Sequence, residues 1–328
     1  MTTTTTDVLR VEDLKTWFPV RRGLLQRVHG HVKAVDGVSF TVAPGETLCL
    51  VGESGCGKST VGKTVLRLLE PTGGRIWLGD TEVTGLTESQ MHSHRRQLQM
   101  VFQDPYASLN PRMRVGDIIA EPLENYGLSG NTSERRQRLE SLLDRVGLRP
   151  DALDRFPFEF SGGQRQRLGI ARALALTPRL IVADEPVSAL DVSVQAQVLN
   201  LLKDLQDDLG LAYLFVSHDL GVVEHVGHRI AVMYLGRIVE IGSRDRIFSR
   251  PAHPYTEALM AAAPVADPRL KRERLVIEGD VPSPMNPPSG CHFHTRCPHA
   301  QDRCRAEVPA LRAAADGHAV ACHLRDPG

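Results

Sequence analysis

The chain has 328 residues, enough for one large domain with an appendage or for two modest domains. Lys+Arg and Asp+Glu both number 39, so the formal charge is zero and the strong basic excess typical of nucleic-acid binders is missing. No stretch approaches the roughly 18 apolar residues of a membrane span. MTTTTTDVLR does not have the basic-then-apolar order of a secretory leader. The expected setting is therefore the reducing cytosol, where clustered thiols more often hold metal than form disulfides.

Through the first two-thirds, short β-rich runs alternate with helical patterns, which predicts an α/β fold with a largely parallel sheet. TLCLV (47–51) reads as a buried strand and KSTVGKTVLRLL (58–69) as the helix after it. The stretch 115–176 breaks the alternation with mostly helical patterns, centred on SERRQRLESLLDRV (133–146), and reads as an inserted helical subdomain. LIVAD (180–184) is another apolar strand. After it, Val194, Val198, Leu201, Leu202, Leu205 and Leu209 keep one apolar face at helical spacing. YLFVS (213–217) and IAVMY (230–234) repeat the strand pattern. Beyond Tyr255 the composition shifts, and GDVPSPMNPPSG (279–290) suits an extended linker.

Between the first strand and its helix lie Gly52, Glu53, Ser54, Gly55, Cys56, Gly57, Lys58, Ser59 and Thr60, which fit G-x-x-x-x-G-K-[ST]. Glycines let a backbone wrap closely around phosphates, and successive N–H groups with the helix N-terminus turn positive dipoles toward the anion. Lys58 is placed to reach the β- and γ-phosphates, and the Ser59 hydroxyl to ligate Mg²⁺. Cys56 reads as a tolerated small residue rather than a nucleophile. In LIVADEP (180–186), Asp184 ends an apolar strand and can hold Mg²⁺ through water. Glu185 can then orient or deprotonate the attacking water. Ser161, Gly162, Gly163 and Gln164 open a second helix whose N-terminus suits an anion. One nucleotide rarely needs two such sites from one chain, so two chains facing head to tail would each lend this helix to the other's ATP.

FSGGQRQRLGIARAL (160–174) resembles the LSGGQ signature of the ATP-binding-cassette (ABC) ATPases, with Phe160 in place of the leucine. The resemblance covers about residues 8–242 and implies further roles. Gln103, in VFQDP, matches the loop glutamine that touches Mg²⁺ and water. Ser188, Ala189, Leu190 and Asp191 match the D-loop that crosses the dimer interface, and His218 matches the switch histidine on the γ-phosphate. Phe18, in TWFPV, matches the aromatic that stacks on adenine, with Trp17 beside it as the alternative ring. The implied fold is an α/β nucleotide-binding domain at 8–250: a RecA-like parallel-sheet core, an antiparallel β subdomain and a helical subdomain at about 105–176. A small Cys-rich extension follows at 251–328.

PAHPYTEALMAAAP (251–264), the tail from Gly290 to Leu324 and VFQDPYASLNPRM (101–113) are similar to the oligopeptide/dipeptide importer branch. That resemblance implies an ATPase at the cytoplasmic face of the membrane. Its implied partners are a second, often non-identical cassette subunit, two permeases and an extracytoplasmic solute-binding protein, with no nucleic acid. Phe158 stands where many relatives have histidine, a departure expected to affect packing more than ATP chemistry. A non-transport ABC ATPase of the repair or translation type is the alternative. It ranks low because only about a hundred residues separate Lys58 from Ser161, leaving no room for a long coiled coil, and because there is a single cassette. An ATPase-linked iron–sulfur sensor is a third reading, resting on the tail alone.

Cys291, Cys297, Cys304 and Cys322 are spaced C-x5-C-x6-C-x17-C. Four thiolates suit tetrahedral Zn²⁺, yet the tight C-x(2–4)-C pair usual for zinc is missing. A [4Fe–4S] cluster tolerates wider spacing, and the importer resemblance favours it. His292, His294, His299, His318 and His323 are spare ligand candidates. With few large apolar residues, the extension is expected to rely on metal as a staple.

Overall fold

Burial of five consecutive apolar or small residues makes Thr47–Val51 a fully enclosed strand, and the rest of the fold is assembled around such runs. The computed structural model describes residues 7–23, 26–262, 279–314 and 316–325. In chain order the elements are β1 (Leu9–Arg22), β2 (Arg27–Val42), β3 (Thr47–Val51), α1 (Lys58–Val65), β4 (Gly73–Leu78) and β5 (Thr81–Glu82). Next come α2 (Glu88–Arg95), β6 (Leu98–Val101), α3 (Pro105–Ser108), α4 (Val115–Asn125), α5 (Thr132–Arg145), α6 (Gly162–Leu174), β7 (Leu180–Asp184), α7 (Val192–Leu209) and β8 (Ala212–Val216). The chain continues with α8 (Leu220–Val226), β9 (Arg229–Tyr234), β10 (Arg237–Ser243), α9 (Arg244–Ser249) and α10 (Pro254–Ala262), then α11 (Asp302–Ala306), β11 (Arg312–Ala313) and β12 (Ala319–Val320). Parallel and antiparallel pairings both occur, so the fold is mixed α/β. Among the described residues, no helix is long and apolar enough to cross a membrane.

The chain divides into two compact units. The first holds residues 43–46 and 85–214 together with the described residues before Leu9. In it, β6 and β7 run parallel, from Leu98 opposite Leu180 to Val101 opposite Ala183. α6 is the hub on which α3, α4 and α5 pack. Its start is fixed by a capping box: Gln164 N–H donates to Ser161 Oγ, and Ser161 N–H donates to Gln164 Oε1. Asn131 and Glu134 repeat the device at α5.

The second unit holds residues 9–42, 47–84 and 215 onward. β1 and β2 pair antiparallel, from Leu9 opposite Val42 to Arg22 opposite Arg27, in a four-stranded sheet ordered β2-β1-β4-β5. Its other strands are ordered β11-β12-β10-β9-β3, with β3 and β9 parallel and the rest antiparallel.

The cysteine-bearing extension is part of this unit, and it holds on by more than thiols. β12 adds to β10, with Glu240 opposite Val320. Phe293, 1% exposed, inserts among Tyr234, Tyr255 and His253, with ring centroids 5.2, 5.4 and 5.7 Å away. The buried Glu240 carboxylate accepts from Ala252 N, His253 N and His318 Nε2, each at 2.8 Å. A buried carboxylate needs such partners to offset its lost hydration. Burial lowers the pKa of His253 to about 3, so its ring stays neutral and its Nδ1 accepts from Tyr255 N–H at 3.0 Å. The extension was expected to rely mainly on metal as a staple, and the structure shows protein contacts that hold it as well. An aromatic plug, a shared strand edge and a buried His–Glu pair anchor it.

Candidate functional site: a phosphate loop and a carboxylate-bearing turn

The phosphate loop lies in the second unit, between β3 and α1. Gly52 and Gly57 have φ of +149° and +107°, and a Cβ on them would fall 2.2 Å from Met233 O and 2.0 Å from Ala34 O. Only glycine fits either place. Lys58 is 5% exposed, and its ammonium donates to Gly52 O at 2.8 Å and Glu53 O at 3.0 Å, curling the loop back over the helix start. Gly57 is a left-handed N-cap without a side-chain hydrogen bond to the helix. The N-terminal turn of such a helix directs its amide dipoles toward an anion. Ser54 and Gly55 form the exposed rim, while Ser59 and Thr60 sit half-buried in the first helical turn. Burial pushes the Cys56 thiol pKa up, keeping it protonated, as expected of a packing residue. His218, exposed, follows β8 and precedes the Asp219 cap of α8 in the same unit.

Trp17 Nε1 donates to Asp36 Oδ1 at 3.2 Å, and Lys33 Nζ lies 4.7 Å above its ring. Phe18, its neighbour, is 38% exposed.

The first unit carries the hydrolytic turn. Asp184 ends β7, buried. Glu185 follows with φ of +46°, a strained value for a residue with a side chain, which turns its carboxylate off the strand axis. Gln103 Nε2 donates to Glu185 Oε2 at 2.9 Å and lies 3.4 Å from Ser188 Oγ. Ser188 Oγ donates to Glu185 O at 3.0 Å. Gln103, 82 residues away in sequence, thus meets Glu185 and Ser188 at one turn. Ser188, Ala189 and Asp191 are exposed, and the turn they make with Leu190 is pinned from below. Gln195 Nε2 donates there to Val187 O and Leu190 O at 3.0 and 2.9 Å.

Ser161, Gly162, Gly163 and Gln164 open α6 against this same turn. A Cβ on Gly163 would fall 2.2 Å from Val194 Cγ1, so a larger residue would push α7 away. Phe158 is 66% exposed and stacks on Phe156, with ring centroids 5.6 Å apart.

Gln103 and Asp184 in the first unit, and Ser59 in the second, each carry an oxygen of the hard kind that Mg²⁺ prefers. Gln103 binds Glu185 through its nitrogen, so its carbonyl oxygen is not used in that contact. The cysteines are a different case. Cys291 N–H donates to Cys304 O at 2.8 Å. Burial pushes the Cys291 thiol pKa up to about 11, and the neighbouring Cys304, Cys322 and Cys297 push it the same way, so the four thiols are gathered. Among the described residues, however, no three His, Cys, Asp or Glu side chains are grouped closely enough to hold a metal ion. The expected cluster-ready ligand set is not formed.

Sequence reasoning missed two residues on the phosphate loop. Tyr255 Oη accepts from Glu53 N–H at 2.9 Å. Arg296 donates to both oxygens of the Glu53 carboxylate at 2.8 and 3.2 Å.

The chain is 59% identical, over 98% of its length and 90% of the relative's, to a probable peptide ABC transporter ATP-binding protein of Sinorhizobium fredii. It belongs to the ABC transporter family. The family profile for ABC transporters matches residues 35–188 of this ABC ATPase, and that for the oligopeptide/dipeptide transporter C-terminal region matches 239–304. Identity to the oligopeptide transport ATP-binding protein AppF of Bacillus subtilis is 54%, over 97% of both chains. Among solved structures, a dimeric ATP-binding cassette in a post-hydrolysis state with ADP and phosphate superposes on the ABC ATPase with a TM-score of 0.64 at 27% identity. That match covers 72% of this chain and 98% of the other.

Proposed function

We propose that this ABC ATPase energises peptide uptake as the ATP-hydrolysing subunit of a membrane importer, at the cytoplasmic face of the membrane. The observation that carries the reading is that one chain matches both the cassette and the oligopeptide/dipeptide C-terminal region. A repair or translation ATPase has no use for the second. The cassette is assigned to 8–250, with its helical subdomain at about 105–176, and the extension to 251–328. The assembly would contain two permeases, a second and non-identical cassette subunit, and an extracytoplasmic binding protein that delivers peptide.

In the cassette, Phe18 stacks on adenine, and the loop amides with Lys58 hold the phosphates. Ser59, Gln103 and Asp184 would hold Mg²⁺, which would supply charge neutralisation for the phosphoryl oxygens. Glu185 takes the proton of the attacking water while Gln103 fixes the carboxylate in place. His218 contacts the γ-phosphate. Ser161 to Gln164 and the D-loop face the ATP of the opposing subunit. Co-purification of the tagged chain from its native membrane tests the assembly. Two permeases, a second cassette chain and peptide-stimulated ATP hydrolysis are expected, and a chain that purifies alone with full activity sinks the reading.

The four cysteines, near one another but not set as a metal-ready group among the described residues, are proposed to close around a [4Fe–4S] cluster, with Zn²⁺ as the alternative occupant, once deprotonated. Protein prepared without oxygen is expected to be brown and to contain iron and acid-labile sulfide. Each Cys→Ser change at 291, 297, 304 or 322 should bleach it and leave nucleotide affinity measurable. Stoichiometric zinc without iron would overturn the cluster.

A further inference from the structure

Every polar group of Glu53 is occupied within the second unit. Its N–H donates to Tyr255 Oη, its carbonyl accepts from Lys58 Nζ, and its carboxylate accepts twice from Arg296. Arg296 is 8% exposed at its side chain and Glu53 is 28% exposed, so this fork-to-fork pair is partly shielded from water. Arg296 also lies 3.4 Å from Tyr234 Oη. Its backbone N–H donates to the carbonyl of Phe293, the buried plug of the extension, at 3.0 Å. Arg296 immediately precedes Cys297 and lies five residues after Cys291. The cysteine-bearing turn and the phosphate loop are thus joined by one side chain.

A carboxylate beside a loop that binds a polyphosphate opposes its ligand, since like charges at short range repel most where water is partly excluded. We propose that Arg296 is a positioning residue for ATP binding: it neutralises Glu53 and, with Tyr255, fixes the outer arm of the phosphate loop. The extension thereby sets the nucleotide affinity of the cassette on which it docks. This inference rests on the assignment of residues 52–60 as the ATP phosphate loop.

Titration of the purified full chain with a fluorescent ATP analogue, alongside steady-state hydrolysis, tests it. Arg296→Met keeps the aliphatic stem and removes the charge. It should weaken nucleotide affinity roughly tenfold, as expected for loss of one partner of a shielded ion pair, and raise KM with little change in kcat. Arg296→Lys should recover part of the loss, because a point charge replaces the fork. Adding Glu53→Gln to Arg296→Met should restore most of the affinity, since no charge is left to neutralise. A purely structural role for Arg296 would lower the melting temperature without moving affinity, or would show no rescue by Glu53→Gln. Either result overturns the proposal. A wild-type chain that binds no nucleotide would instead overturn the phosphate-loop assignment, so the two failures are distinguishable.

Discussion

Glu185→Gln is expected to reduce ATP turnover by about 10²–10⁴-fold, the range for loss of a general base, while ATP binding persists. Glutamine matches glutamate in shape, and its carbonyl oxygen can still accept from Gln103 Nε2, so the turn should hold its geometry. What is lost is the ability to take a proton from water. The bonds from Lys58 to Gly52 O and Glu53 O, which curl the phosphate loop, are made without this residue. Nucleotide therefore stays bound unhydrolysed, and any ATP-bridged dimer should accumulate by mass action. Phosphate release from the assembled transporter, read beside equilibrium binding, checks the result. Near-wild-type turnover would remove Glu185 from its assigned role.

Lys58→Ala should act one step earlier, on binding itself. The buried ammonium already holds Gly52 O and Glu53 O, so its removal both discards a phosphate partner and releases the loop. Charge-assisted hydrogen bonds contribute about 1.5–3 kcal/mol each, so losing two phosphate contacts should weaken affinity by about 100-fold or more. Calorimetric titration with ATP reads this directly. Affinity within a few-fold of wild type would show that the lysine does not reach the phosphates.

The parts of this fold that were legible in the sequence are those specified locally. TLCLV is enclosed at every residue, and its apolar run named its limits without error. LIVAD did the same. The helix expected over 58–69 stops at Val65 because Arg67 adopts φ of +53°. Its buried guanidinium bonds to Val83 O, Thr84 O and the Glu70 carboxylate, and such a tertiary tie outweighs helix propensity. The long β1 and β2 gave little alternating signal. Four register shifts between them interrupt the two-residue period, and charged residues occupy much of their length. In the site, Gln103, Glu185 and the signature residues were named from motifs, and the structure adds the bond from Gln103 to Glu185 and the capping box between Ser161 and Gln164. Arg296 and Tyr255 were not named, because they lie 243 and 202 residues from Glu53 and no local pattern encodes so distant a contact. The tail was misjudged in one respect. Counting large apolar residues missed that Phe293 alone, set among two tyrosines and a histidine, can anchor a short segment.

The pairing of β12 with β10 also bears on solubility. Without the extension, the apolar β10 would present unsatisfied amides and carbonyls along one side, a template for sticking to other copies. The short β11 and β12, each two residues long, end the sheet in strands too brief to recruit another chain. The extension thus protects the cassette from self-association, and a chain trimmed to its catalytic motifs would lose that cover.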